Sequence, residues 1–370
     1  MSQSLSVSEF LHAPGPILDV RSPAEFAQGH IPGAINLPLF SDEERAQVGT
    51  CYKQQGPDPA VELGFALAGP KFAGFIAEAK RLAPDRQLRL HCWRGGMRSE
   101  AMAWVLGMAK LEVTLLSGGY KAFRRWAHQQ FETPKPIVIL GGMTGTGKTA
   151  ILIALAQQGA QVIDLEGLAN HRGSSFGALG LPPQPSNEQF ENLLALQWAK
   201  LDPNQPVWIE AESRRIGLCR IPEAVFQQMD CAQIIEIQRP RSERLAALVE
   251  IYGTADRQAL ITATERIRKR LGGLRTQQAI ALLLQGKLTE AFDLILDYYD
   301  RTYTYDLQRR NRPIQPVDIT GLSATESAAL LQTLLPESSS ENPRLLLSPA
   351  VAPAHGTRTT PAAKIQSEAV

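Results

Sequence analysis

IVILGGMTGTGKT, Ile137 to Thr149, sets a short apolar run against a glycine loop, with an alanine- and leucine-rich helical pattern behind it. That order is strand, loop, helix. From Gly142 it fits G-x-x-x-x-G-K-[ST]. Gly142, Gly145 and Gly147 let backbone N–H groups close on phosphate oxygens, Lys148 reaches outer phosphates, and Thr149 is available to Mg²⁺. A helix opening near Lys148 adds its positive end. The pattern specifies a phosphate site without saying what the phosphate belongs to.

Downstream, Gln161 to Leu165 (QVIDL) reads as a second strand bearing Asp164, with Glu166 close behind. Gly167 to Gly180 (GLANHRGSSFGALG) fits no regular element, and so polar a loop beside a phosphate site, carrying His171 and Arg172, is a candidate substrate lid or a surface loop. Val207 to Ile209 is a third strand ending in Glu210, with Glu212 next in line. A carboxylate there can hold Mg²⁺ through water or position a nucleophile. Ile234 to Ile237 makes a fourth strand, followed by Arg239, Arg241 and Arg244. Repeated strand-helix units of this kind predict a doubly wound parallel sheet with its ligand at the carboxyl ends of the strands.

From Thr262 the pattern turns helical. Arg266, Arg268, Lys269, Arg270 and Arg275 form a basic cluster, and Tyr298, Tyr299, Tyr303 and Tyr305 follow. Such residues can hold RNA by phosphate and stacking contacts, or form a solvated face over a tyrosine-lined core. The segment 337–370, rich in Ser, Pro, Ala and Thr, reads as a disordered tail.

Upstream, prolines 134 and 136 suit a stiff linker, dividing a domain over 5–134 from one over 135–336. The first alternates strands (Ile17–Val20, one inside Gly29–Pro38, Leu88–Leu90) with helices (from Ser22, Lys71–Ala83, Ser99–Met108), which predicts a small parallel α/β sheet. Its loop of interest is HCWRGGMRS, His91 to Ser99, where a cysteine leaves a strand and a helix begins six or seven residues later. Loop N–H groups, the helix N-terminus, Arg94 and Arg98 all favour thiolate at Cys92. A thiolate in an anion cradle is a nucleophile. His91 fits a packed residue as well as a base.

The chain has 370 residues with 38 Lys plus Arg against 37 Asp plus Glu, so no global field draws it to nucleic acid or anionic lipid. Cys51, Cys92, Cys219 and Cys231 form no C-x-x-C pair and no cluster with histidine, which argues against zinc and a disulfide framework. The opening MSQSLSVSEF has no charged-then-apolar signal, and no apolar run reads as long enough to span a bilayer. A soluble cytoplasmic protein with no membrane partner and no firmly assigned metal is expected.

DVRSPAEFAQGHIPGAINLP (Asp19 to Pro38), the cysteine loop and LLSGGYKAF (Leu115 to Phe123) resemble a rhodanese domain, whose cysteine carries sulfur as a persulfide. One departure stands out: Cys92-x5-Arg98 is a residue longer than the Cys-x4-Arg loop common among rhodaneses acting on sulfane sulfur. The spacing HC-x5-RS is that of cysteine phosphatases. A wider loop suits a tetrahedral phosphate-like anion, so Cys92 is expected to attack, or take a chalcogen from, a substituted phosphate.

Taken together, HCWRGGMRS, GGMTGTGKT, DLEGLANHRGSSFG, IEAESRRIG and IRKRLGG resemble the tRNA 2-selenouridine synthases, a family with a rhodanese domain before a P-loop domain. The resemblance spans residues 5 to about 320. It implies replacement of sulfur by selenium in wobble 2-thiouridine of tRNA, with selenophosphate as donor and geranyl diphosphate as the alkylating co-substrate that activates the sulfur. It further implies Cys92 as the selenium-carrying nucleophile, a tRNA partner, and an association with a selenophosphate-producing enzyme. Mg²⁺ is left open. The residues alone also allow a nucleotide-dependent kinase fused to a sulfurtransferase, or a non-catalytic RNA-binding scaffold.

Overall fold

Two separate five-stranded parallel sheets carry the chain. The structure, a computed structural model, describes residues 3–309 and 312–335, with backbone only over 306–309. The segment expected to be disordered, 337–370, lies outside the described residues. The first sheet comprises β1 (Gln3–Leu5), β2 (Ile17–Asp19), β3 (Ile35–Asn36), β4 (Gln87–His91) and β5 (Glu112–Leu116), in the order β1-β5-β4-β2-β3. The second comprises β6 (Ile137–Gly141), β7 (Gln161–Ile163), β8 (Val207–Glu210), β11 (Gln233–Gln238) and β12 (Ile314–Asp318), in the order β12-β11-β6-β8-β7. Between β8 and β11 lies a small antiparallel pair, β9 (Arg215–Ile216) and β10 (Cys219–Arg220).

Local chemistry accounts for these elements. β6 is buried at every position because it is the central strand and helices cover both its faces, so its sequence is a continuous apolar run. The helix expected from Ser22 is Pro23–Gln28, and SPAEF accounts for its start: Ser22 is the N-cap, Pro23 the first helical residue, and Glu25 closes a capping box. The helix Met97–Met108 opens earlier than expected, because Gly96 caps it directly. GLANHRGSSFGALG is likewise more ordered than a loop throughout, since its start belongs to the short helix Leu165–Ala169 that Asp164 caps.

One expectation fails on length. Residues Pro57–Leu82 run helically for 26 residues at a mean hydropathy of 1.3 in their most apolar window, long and apolar enough by composition to cross a bilayer. In the fold they are two helices, Pro57–Ala68 and Phe72–Leu82, joined by a 3₁₀ turn at Gly69–Lys71. Ala60, Ala68, Phe75 and Ala79 are buried.

The linker 133–136 separates two sheets that nonetheless share a boundary layer. The helix Gly119–Glu132 ends the first domain, yet its Ala127 and Phe131 belong to the core that covers one face of the second sheet, with Phe190, Leu194, Trp198 and Ile209. Polar groups reinforce that contact. Tyr120 donates its hydroxyl to Glu188 (2.8 Å) and accepts from Asn192 (2.7 Å), while Asn192 also donates to the His30 carbonyl (2.9 Å). Residues to Leu335 accordingly form one compact unit. The C-terminal part is helical (Arg257–Arg266, Arg268–Leu271, Gly273–Leu284, Leu288–Arg309) around its own core of Phe176, Leu260, Phe292 and Leu296.

Candidate functional site

The cysteine loop joins β4 to the helix Met97–Met108, and that crossing buries the sulfur: Cys92 is only 3% exposed. Burial alone would raise the thiol pKa, but the Ser99 hydroxyl, the Arg98 charge and backbone hydrogen bonds of Gly96 and Ser99 outweigh it and hold the pKa below the ordinary thiol range. Ser99 Oγ lies 3.2 Å from Cys92 Sγ and 2.9 Å from the Gly96 carbonyl. Arg98 is held by Glu25 at 2.7 Å, whereas Arg94 is exposed. Of the two predicted arginines, then, Arg98 acts directly on the sulfur.

Glycine is required where the loop meets the next turn. Gly119 (φ 61°) sits so close that a Cβ on it would fall 2.5 Å from the Cys92 carbonyl and 2.4 Å from Gly95 N. Tyr120 N donates to the same Cys92 carbonyl at 2.9 Å. His91 is a packed residue. It is fully buried, its Nε2 lies 3.7 Å from Asp19, and burial lowers its pKa so that it is neutral. Against the cost of burial, Arg21, which donates to both carboxylate oxygens, keeps Asp19 ionised below the ordinary carboxylate range. The Arg21 guanidinium stacks 3.8 Å over the Tyr120 ring.

The phosphate loop runs from β6 to the helix Lys148–Gln157, whose N-cap Gly147 has φ 88°. Gly142 (φ 154°) and Gly145 (φ 85°) are equally restricted: a Cβ on Gly142 would meet Ile237 at 2.7 Å, and one on Gly145 the Arg244 carbonyl at 2.7 Å. Lys148 Nζ donates to the Gly142 carbonyl (2.8 Å), and Thr149 Oγ1 donates to Glu166 (3.1 Å). Arg244 and Tyr303, to which the sequence assigns no part in the phosphate site, brace the loop from outside. Arg244 donates to the Thr144 carbonyl at 2.9 Å and pairs with Asp300, while Gly142 N donates to Tyr303 Oη at 2.7 Å.

Carboxylates crowd the lysine. Glu210 is buried, accepts from Glu166 N at 2.7 Å, and leaves its Oε2 without a hydrogen-bond partner. Burial, then Asp164 and its other acidic neighbours, push its pKa well up. Glu212 is raised from 4.5 to about 8, by burial first and by Glu166 second. Glu166, which the sequence places beside Asp164 without a role, accepts the Thr149 hydroxyl at 3.1 Å. Asp164 caps its own helix through Gly167 N (2.8 Å). Among the described residues no three His, Cys, Asp or Glu side chains group as a metal cage.

The suspected lid is packed down. Phe176 is buried in the helical core, Ser175 Oγ donates to the Ala263 carbonyl (3.0 Å), and Arg172 donates to the Leu179 carbonyl (2.8 Å). His171 has a pKa lowered by burial, and its Nδ1 lacks a partner. Gly173 closes on Glu212, whose Oε1 would lie 2.6 Å from a Cβ there. Arg266, Arg268, Lys269, Arg270 and Arg275 are all exposed. Arg268 pairs with Glu265 (3.3 Å) and Arg275 with Asp297 (3.2 Å), while Arg270 donates to Tyr298 (3.1 Å). The tyrosines divide. Tyr298 and Tyr299 line the core, against the stacking-ring reading, because the apolar stripe of their helix faces inward; Tyr303 serves the phosphate loop, and Tyr305 is exposed.

Two family profiles match the chain: "tRNA 2-selenouridine synthase AAA domain" over residues 135–323 and "Rhodanese-like domain" over 6–126. A tRNA 2-selenouridine synthase of Marinobacter nauticus is 38% identical over 335 residues, covering 81% of this chain and 90% of that protein. Among solved structures, the N-terminal domain of a putative ATP/GTP binding protein from Clostridium difficile 630 is 34% identical, covering 34% of this chain and 98% of that one, with a TM-score of 0.31. A rhodanese-related protein from Thermoplasma volcanium is 21% identical, covers 32% and 88% respectively, and has a TM-score of 0.20.

Proposed function

The chain belongs to the tRNA 2-selenouridine synthase family, and from that premise we propose that it replaces the sulfur of wobble 2-thiouridine in tRNA by selenium, through an S-geranyl intermediate. The observation that carries this reading is the presence on one compact unit of two unlike anion sites, the Cys92 loop and the Lys148 loop. In the first step the thiouridine sulfur forms a bond to geranyl C1 and the C1–O bond breaks. Diphosphate leaves with the bonding pair, and the base loses its N3 proton. Lys148 and the loop N–H groups receive the charge that develops on the leaving oxygens. In the second step selenium adds at C2 and geranylthiolate departs, S-alkylation having made sulfur the better leaving group.

Mg²⁺ binds through few carboxylates plus phosphate oxygens and needs no protein cage. Thr149 Oγ1 and the unpartnered Glu210 Oε2 are the groups that would hold it, and bound there it would neutralise diphosphate charge. Arg266 and Lys269, which pair with no carboxylate among the described residues, give tRNA phosphates a local surface.

Two variants test the division of labour. Cys92→Ser is expected to abolish selenouridine while S-geranylated tRNA accumulates, since a hydroxyl does not ionise near neutral pH. Lys148→Ala should slow geranylation by about a hundred- to a thousandfold, the typical loss of one preorganised oxyanion contact. Mass spectrometry of the nucleosides reads both. A Cys92→Ser protein that fails to geranylate, or a Lys148→Ala protein that geranylates at the parent rate, sinks the assignment.

A further inference from the structure

Selenium in selenophosphate is at the selenide level and phosphorus is fully oxidised. Moving that selenium onto sulfur as a selenosulfide raises it to the elemental level, so two electrons must reduce phosphorus to phosphite or pass to an outside oxidant. Attack on phosphorus needs neither. The S–P bond forms, the P–Se bond breaks, and the bonding pair leaves with selenium as hydrogen selenide. Water then cleaves the S–P bond, freeing orthophosphate and restoring the thiolate.

The Cys92 loop is built for the second course. Its five intervening residues make it wider than a sulfane-sulfur loop. The N–H groups of Trp93, Arg94, Gly95 and Gly96 donate to no backbone carbonyl among the described residues, which leaves them for the equatorial oxygens of a phosphoryl group. Arg98, fixed by Glu25 at 2.7 Å, adds the charge those oxygens need. From a single position the Ser99 hydroxyl reaches both the Gly96 carbonyl at 2.9 Å and Sγ at 3.2 Å, so its proton can point to either. Turned to sulfur, its hydroxyl stabilises the thiolate both as nucleophile and, in the second half, as leaving group. Hydrogen selenide departs as a stable anion, so the loop needs no general acid for it. The lowered thiol pKa agrees with this geometry.

Resting on the selenation reading above, we propose that Cys92 attacks the phosphorus of selenophosphate, passes through S-phosphocysteine, and releases hydrogen selenide to the S-alkylated base, with Ser99 as a catalytic residue for thiolate departure. The selenide then adds at C2, its proton passes to N3, and geranylthiolate leaves.

The test follows two labels in the full-length enzyme. Selenophosphate carrying radiolabelled phosphorus or radiolabelled selenium is mixed with the wild type and with Ser99→Ala, quenched within milliseconds, and the Cys92 peptide counted. Phosphorus label is expected on Cys92, with breakdown slowed about a hundredfold in Ser99→Ala, as for loss of a group that assists a proton-coupled departure. Free hydrogen selenide is also expected to restore selenouridine to Cys92→Ser acting on S-geranylated tRNA. Selenium label on Cys92 with phosphite in solution overturns the proposal, as does consumption of selenophosphate with neither label retained by either protein. The wild type is assayed in parallel with complete substrates. If it makes selenouridine while phosphorus never reaches Cys92, only this inference falls; if it makes none, the selenation reading itself falls.

Discussion

Glu212 carries a proton into neutral solution because burial and Glu166 both disfavour its charge, raising it from 4.5 to about 8. A carboxyl raised on folding makes the folded state the better proton binder. Its stabilising effect is complete below pH 4.5, declines as pH climbs, and is gone above about pH 8. Glu212→Gln keeps the volume and cannot ionise. That variant should melt higher than the parent at pH 8.5, with the gap closing toward pH 5; calorimetry across the range checks it, and an equal gap at both ends contradicts the buried-proton account. At this scale the sequence was a partial guide. Cys92, Arg98, Lys148, Thr149 and Glu210 were legible because spacing within a short loop or a strand end fixes their surroundings. Glu25, Tyr303 and Arg244 were not, since each reaches its loop across a separation of 73, 161 or 100 residues and only the folded topology brings them there.

Elements were readable in proportion to how much of themselves they bury. β6 and β11 announce themselves by apolar runs. The helix Asp42–Gln55 has no buried residue and hence no apolar stripe, while β12 is an edge strand that tolerates Pro316, and neither left a signal. The polar segment after Ala169 misled for the opposite reason: one aromatic, Phe176, inserts into the helical core and anchors glycines and serines that otherwise read as mobile. Phe176→Ala removes that anchor. Truncating a buried phenylalanine costs about 3–5 kcal/mol, and because the segment is short the loss should appear first as local opening. Amide exchange at Gly173 to Gly177 is expected to accelerate by at least tenfold relative to β6, and the proposed geranyl transfer to weaken with it. Unchanged exchange there would mean that Ser175 and Arg172 hold the segment unaided.

At the scale of the molecule, charge is balanced overall and uneven locally. The five exposed basic residues between 266 and 275 project from the helical part, and RNA binding by phosphate contact must weaken with salt in proportion to the contacts made. Arg268→Glu with Arg270→Glu should lower tRNA affinity and reduce the slope of log affinity against log salt by about two. Filter binding across a salt series measures it, and a parent-like slope returns these residues to a solvated face. The helix Gly119–Glu132 has a different reach. It closes the first domain, touches the cysteine loop at one end, and plants Ala127 and Phe131 in a core whose later members include Phe190, Trp198, Ile209 and Ile234. Synthesis on the ribosome is directional, so that apolar surface emerges about 60–100 residues before its cover, which at roughly 5–20 residues per second leaves it bare for about 3–20 seconds. The nascent chain is therefore most exposed to chaperones, and to its own neighbours on a polysome, just after its first sheet can close.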